Sequence, residues 1–394
     1  MSTLEIFILK TIRHPVSIYE RLSFIAALVL SIALRVSFAN ASDEIFIDNY
    51  RSGDTQRYPL ALLQGHIDDP NAQSVLVENL SSNRGTRVSI ASVYLGRFKV
   101  LVELVPGENR LSISVDTKRK DFLLYYEKSS NPYFVRLVYF IDSSGDCSFE
   151  QAQDWSCDKS NDFAQKIRTA AMLWQTATAE SFNNAGLARR TFTLEFDEKG
   201  YVLVWIQRGK RTADEYLVLT EEERFKQIYQ ETVSGTAESL FARYLIVVAF
   251  SRHNAETNEL LGKVALGGGR VGMLDSSTLF SWPDSINKVE HAFVDAAPIS
   301  PTYRRDSAYR NARWALTSSS LGSGLHELGH ALGLNHSDDP NDFMSRGFDK
   351  FNRVFTTFEP SIPNGEKTVF QSEDCAKWGR ASAAKLMNSP WIEK

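Results

Sequence analysis

The residues best able to do chemistry lie late in the chain, in His326-Glu327-Leu328-Gly329-His330-Ala331-Leu332-Gly333-Leu334-Asn335-His336. On a helix, residues four apart share a face, so His326 and His330 can both turn toward one ion. Glu327 follows the first of them and can face a water at that ion without binding the ion itself. Gly333 lets the chain leave the helix through a turn that a side chain would resist. His336 then returns as a third ligand. Three imidazoles suit Zn2+, and three protein ligands leave its fourth position open, which marks a catalytic site and not a closed structural one. The chemistry this predicts is hydrolysis of a peptide bond by a zinc-activated water, with zinc also polarising the carbonyl. Glu327 is the expected general base, taking the water proton and passing it to the leaving amine. The oxyanion needs a further donor that the residues do not name.

Other readings use the same residues. The bland one is an amphipathic core helix whose histidines bond only backbone. A second is an extracellular binding or adhesion protein with a vestigial zinc site, against which the intact Glu327 and three histidines speak. A third is a zinc amidase acting on a non-peptide amide, which would pass through the same tetrahedral intermediate.

Two kinds of element must position this motif. From about 44 to 145 the chain reads as β-structure. Short runs rich in β-branched and aromatic residues (Ser74–Glu78, Arg87–Val93, Arg97–Leu104, Arg110–Val115, Asp121–Tyr126 and Phe134–Ile141) are separated by turn signals such as Pro106-Gly107-Glu108-Asn109. That pattern predicts an antiparallel sandwich, and Gly96–Val115 resembles the last hairpin of extracellular immunoglobulin-like modules. Near 160 the period changes. Phe163, Ile167, Ala170, Ala171, Trp174 and Thr178 follow a helical spacing from Asp162 to Ala185, with Gly186 as the C′ residue. Arg190–Phe196 and Tyr201–Ile206 read as a hairpin, Thr220 with Glu223 as a capping box, and Arg243–Phe250 as a buried strand. Gly267-Gly268-Gly269 marks a place of close backbone approach, readable as an edge strand that pairs with an extended substrate or as a tight loop. The fold class expected is α+β, with residues 42–145 a β-sandwich domain and 146–394 the catalytic domain.

Composition narrows the class of partner. Charged residues make up 23% and hydrophobic residues 43% of the 394, an ordinary globular balance. The net charge of -4, with no concentration of Lys and Arg, gives no support to a nucleic-acid surface. The expected partner is a protein or peptide substrate, and the oligomeric state is left open. Lys10, Arg13 and Arg21 precede an apolar run from Leu22 to Leu34, and Ala39-Asn40-Ala41 follows. This predicts a signal peptide over 1–41, too short in its apolar core for a membrane span, and hence a secreted or periplasmic chain with no transmembrane span once cleaved. An uncleaved anchor is the alternative. Of the three cysteines, Cys147 and Cys157 are close enough in sequence for a local disulfide, leaving Cys375 as a buried thiol. His253 and His291 are not expected to bind metal.

With these residues on the page, the sequence resembles a metzincin-like zincin family of zinc metallopeptidases known from fungi and some invertebrates. The resemblance runs from about 160 to 385 and covers Lys166–Gly186, Ala265–Gly269, Phe280-Ser-Trp-Pro-Asp284, the histidine motif and Met344–Arg353. It implies zinc, peptidase activity and a β-rich region before the catalytic part. It also implies that Asp342-Phe343-Met344-Ser345-Arg346-Gly347 is a Met-turn, with Met344 structural beneath the histidines. Several metzincins carry a tyrosine two residues beyond this methionine. Arg346 stands there instead, so a tyrosine donor at that point is absent.

Overall fold

Alternation of apolar and polar residues builds the first part of the computed structural model, which describes residues 44–393 apart from 70, 84, 153–154, 156–161, 234–239, 304–305 and 362–365. The expected signal peptide and Cys157 lie outside the described residues. Eight strands follow in order: β1 (Ile45–Ile47), β2 (Asp54–Gln56), β3 (Leu60–Ile67), β4 (Ser74–Asn79), β5 (Val88–Ser92), β6 (Arg97–Glu103), β7 (Gly107–Val115) and β8 (Lys118–Tyr126). They form two sheets, β1-β3-β6 and β2-β8-β7-β4-β5, antiparallel except for the β2–β8 pair. Ala61, Leu63, Val75, Val77, Val100, Val102, Ile113 and Leu124 fill one core. Asn79 and Asn109 are fully buried within it and bond each other and the carbonyls of Glu103 and Val105. Each buried amide is thereby satisfied, as burial requires.

The strand at 134–141 corrects one expectation. β9 (Phe134–Ile141) is not part of that sandwich. It lies between β10 (Val204–Arg208) and β11 (Ala242–Val248), parallel to both. After the small hairpin β12 (Arg252–Asn254) and β13 (Glu259–Leu261), the sheet is completed by β14 (Ala265–Gly268) and β15 (Val271–Asp275), giving the order β10-β9-β11-β15-β14. The reason lies in the residues. Val135, Leu137, Val138, Tyr139 and Phe140 are all buried, the near-continuous apolar run of a strand covered on both faces, whereas a sandwich strand alternates. The expected hairpin at 190–206 also changes. Its turn forms, with the Asp197 N–H donating to the Tyr201 carbonyl and Val202 pairing with Phe196, but Val204–Ile206 of its second arm pair with β9.

Helices cover this sheet. α1 (Phe163–Asn184) begins where Asp162 Oδ1 accepts from the Gln165 N–H at 3.0 Å and ends before Gly186, whose φ is +76°. After the short α2 (Ala213–Leu217), α3 (Glu221–Val233) opens on the Thr220–Glu223 capping box, with Thr220 Oγ1 accepting from the Glu223 N–H at 3.3 Å. α4 (Val289–Val294) leads to α5 (Arg313–Ala331), which carries the histidine motif. The short α6 (Asn352–Phe355) and α7 (Arg380–Met387) close the chain. α5 is buried on nearly all sides, packed between β14 and β15 and the segment 346–350. No described helix is long and apolar enough to cross a membrane.

The two regions share a seam. Leu60 and Leu62 on β3 point into the core of the second region while Ala61 and Leu63 point into the sandwich. Polar bonds cross as well: Thr176 donates to the Leu60 carbonyl at 2.8 Å, Lys99 to the Arg353 carbonyl at 2.7 Å, and the Ser92 N–H to Glu290 at 2.9 Å.

Candidate metal centre

α5 places His326 and His330 one turn apart on the same face. Leu332 ends the helix, and Gly333, at φ +93°, reverses the chain so that His336 comes back over that face. The ligand-capable nitrogens of the three imidazoles all lie within 4.8 Å of one another. His330 Nε2 is 3.2 Å from the Nε2 of both His326 and His336.

The opposite ring nitrogens say what those Nε2 atoms can do. His326 Nδ1 donates to the Phe343 carbonyl at 2.7 Å, and His330 Nδ1 donates to the Leu334 carbonyl at 3.0 Å. A carbonyl accepts only, so in each neutral ring the proton is on Nδ1 and Nε2 carries a lone pair. These bonds also lock the rings in the orientation that a metal ligand needs. Burial holds His326 neutral by pushing its pKa down to about 4; the bond to Phe343 opposes this, and the nearby His330 and His336 add to it. Burial likewise lowers His330. Lone pairs converging at 3.2 Å repel unless a cation lies between them, so the donor set fits a divalent metal. His336 is solvent-exposed, leaving that flank open.

Glu327 is buried at 6% exposure. Burial raises its pKa to about 8, and the charge of Glu221 adds to the shift. The strand above it explains the burial. A Cβ on Gly267 would stand 2.5 Å from His330 Cβ, 2.6 Å from the Glu327 carbonyl oxygen and 3.0 Å from Glu327 Oε2. Its cross-strand partner Gly272 would meet the Glu327 backbone at 2.6 Å. Only glycine lets β14 and β15 ride this close to the motif helix. Of the Gly267–Gly269 stretch, Gly267 and Gly268 belong to the edge strand and Gly269 turns at φ +61°.

Met344 is fully buried, and its Sδ abuts the position where a side chain on Gly329 would begin. The turn around it ties both arms of the motif: Phe343 holds His326, and the Met344 carbonyl accepts from the Ser337 N–H at 2.9 Å, just beyond His336. Arg346 bonds Asp349 at 2.7 Å with its guanidinium over Phe348, and its side chain is 61% exposed. Trp282 is buried and donates to Ser320 on α5 at 2.6 Å, a packing role.

Other expected positions fall elsewhere. His253 lies near the Thr302 carbonyl and Asn258, and His291 is at the surface. Cys147 is a free thiol, so the expected bridge to Cys157 is not formed. Its segment is instead folded into tight local turns, with Asp142, Ser144, Asp146 and Ser148 bonding one another's backbone and the thiol packed on the core. Cys375 is a partly buried thiol facing the Arg353 carbonyl. A cleft of about 1210 Å³ runs along the seam, lined by Lys99, Glu180, Cys375 and Trp378, away from the imidazoles. Two features were missed in the sequence: the carbonyls of Phe343 and Leu334, which carry no side-chain signal, and Glu221, which lies about a hundred residues before the motif.

A family model described as "Putative peptidase family" matches residues 44–394. The chain belongs to that family. A Schizosaccharomyces pombe protein named as a putative zinc metalloproteinase is 27% identical over 374 residues, 88% of this chain and 60% of the relative. A Saccharomyces cerevisiae protein named in the same way is 23% identical over 332 residues, 74% of this chain and 47% of the relative. The chain thus spans about half to three-fifths of the length of these relatives. Among solved structures, the chain is similar to wild-type OgpA from Akkermansia muciniphila, at 14% identity and a TM-score of 0.38, over 67% of this chain and 62% of that one. It is also similar to archaemetzincin from Methanopyrus kandleri, at 11% identity and a TM-score of 0.28, over 66% of this chain and 96% of that one.

Proposed function

We propose that the chain is a zinc-dependent endopeptidase, with His326, His330 and His336 holding the ion and Glu327 the general base. The observation that carries this reading is the convergence of three imidazole nitrogens within 4.8 Å, two of them freed for a metal by Nδ1 bonds to backbone. The names of the fungal relatives support the choice of zinc and of a protein substrate. When bound, zinc supplies a Lewis acid that polarises the substrate carbonyl and acidifies water. Glu327 takes a proton from the attacking water and hands it to the leaving amine. Burial, which raises the pKa of this carboxyl, makes its carboxylate form a stronger acceptor for the water proton.

Gly267 presents its backbone beside His330 and Glu327. The Asp275 N–H donates to the Val264 carbonyl, which makes that pair, and every second pair after it, the hydrogen-bonded ones of the β14–β15 ladder. Ala265 and Gly267 therefore point their N–H and C=O groups away from β15. An extended peptide can add to this edge and gain two bonds from Gly267 directly above Glu327. Met344 acts as a floor that keeps the histidine helix and the His336 arm together. We read the two-sheet region as an immunoglobulin-like module joined to a metzincin-like catalytic part, and the basic-apolar-small pattern before residue 42 as support for export.

The test replaces Glu327 by Gln and assays both forms on unfolded casein with zinc content measured in parallel. The variant is expected to keep zinc and lose about 10²–10⁴-fold in rate. Full activity in the variant rejects the assigned base, and absence of zinc in folded protein rejects the site.

A further inference from the structure

The edge strand is closed at one end. Ala265 N–H, which points outward like the groups of Gly267, is already taken: Glu221 Oε1 accepts from it at 3.0 Å. Glu221 is the first residue of α3, and its side chain is 28% exposed. The strand it bonds carries Gly267, which lies against Glu327. Glu221 pairs loosely with Lys263, at 4.0 Å on a side chain 55% exposed, and the buried Arg224 guanidinium also feels its charge.

Two consequences follow for a peptide lying on β14. It can pair with Gly267 but gains no donor at Ala265, so the ladder stops there. Its backbone also passes a carboxylate about 7 Å along the strand from Gly267, the rise of two residues. Antiparallel addition is the more stable pairing, and it puts the C-terminal half of the peptide over Ala265. Resting on the endopeptidase reading above, we propose that Glu221 is a specificity residue, ending strand pairing at Ala265 and favouring substrates with Lys or Arg about two residues C-terminal to the residue paired with Gly267. A carboxylate at that substrate position would face like charge, which costs more than the attractive pair gains.

Cleavage-site profiling of a proteome-derived peptide library with the zinc-loaded full chain tests this, with Glu327→Gln as the blank. The readout is the ratio of basic to acidic residues C-terminal to the cut, which cancels differences in folding and metal loading. The wild type should favour basic residues by about three- to tenfold. Glu221→Gln, which keeps an oxygen for Ala265 N–H, should bring the ratio toward one, and Glu221→Lys should invert it. Lys263→Gln should raise it, because a competing cation is gone. Cleavage with no charge preference, a preference confined to the acyl side, or a ratio untouched by both Glu221 variants would overturn the assignment while leaving the peptidase reading intact. No cleavage at all by the wild type would remove that reading and this one with it.

Discussion

The sandwich and the metal centre handle polar groups in opposite ways. In the sandwich, buried Asn79, Asn109 and Gln56 find partners inside the region, beside an apolar core. At the centre, three imidazoles converge, the Nε2 lone pairs of His326 and His330 face each other, and a carboxyl is buried where it is driven toward its neutral form. The first arrangement lowers the free energy of the fold. The second raises it until a cation arrives, and it survives because Phe343, Leu334 and β14 hold the groups in place. Stability and chemistry are thus assigned to different parts of one chain.

Substitutions can break this contrast. The largest effect after loss of Glu327 is expected at Gly267. An added Cβ must displace the strand or His330, so Gly267→Ala should lower kcat/KM by about 10²-fold while changing the thermal midpoint little. A large fall in melting temperature with normal kcat/KM would show that β14 supports the fold more than the site. Leu63→Ala should do the reverse. Its side chain is fully buried in the sandwich, and the cavity should cost about 2–5 kcal/mol in denaturant titration with activity per folded molecule retained. Unequal metal content in that variant would show that the sandwich shapes the centre through the seam.

The smallest effect sharpens the contrast through pH. Asp142, at the end of β9, is buried, which by itself would raise its pKa. Bonds from the Ser144 hydroxyl and the N–H groups of Ala213 and Ser144 outweigh that and hold it below its ordinary value of 3.8. A depressed carboxyl pKa stabilises the fold fully above 3.8 and less as pH falls through the folded value. Asp142→Asn should therefore cost about 1–2 kcal/mol near neutral pH, and the gap should close in strong acid. An equal gap in urea titrations at both ends of the pH range would contradict the charge-based account.

How much of this was legible depended on the range of the signal. The helix through His326 and His330, the Thr220–Glu223 box and the turn at Gly333 are local patterns, and the structure forms each of them. Strands β4 to β8 alternate and were readable within a few residues. β3 is not legible in the sequence, because Leu60-Ala61-Leu62-Leu63 does not alternate. It is buried on both faces by the seam, and nothing local announces a second covering layer. The same cause misplaced β9. The carbonyls that orient the imidazoles carry no side-chain identity, and Glu221 meets β14 only through a contact distant in sequence.

The position of β9 has a consequence for how this protein could have been assembled or could be taken apart. It is the next strand after the sandwich, yet it runs through the interior of the other sheet, flanked on both sides by parallel neighbours. A gene fragment starting at residue 146 would encode a sheet missing an inner member, with β10 and β11 left to face each other across a gap. Any evolutionary exchange of the leading module has to splice between Tyr126 and Phe134, where both regions keep all their strands.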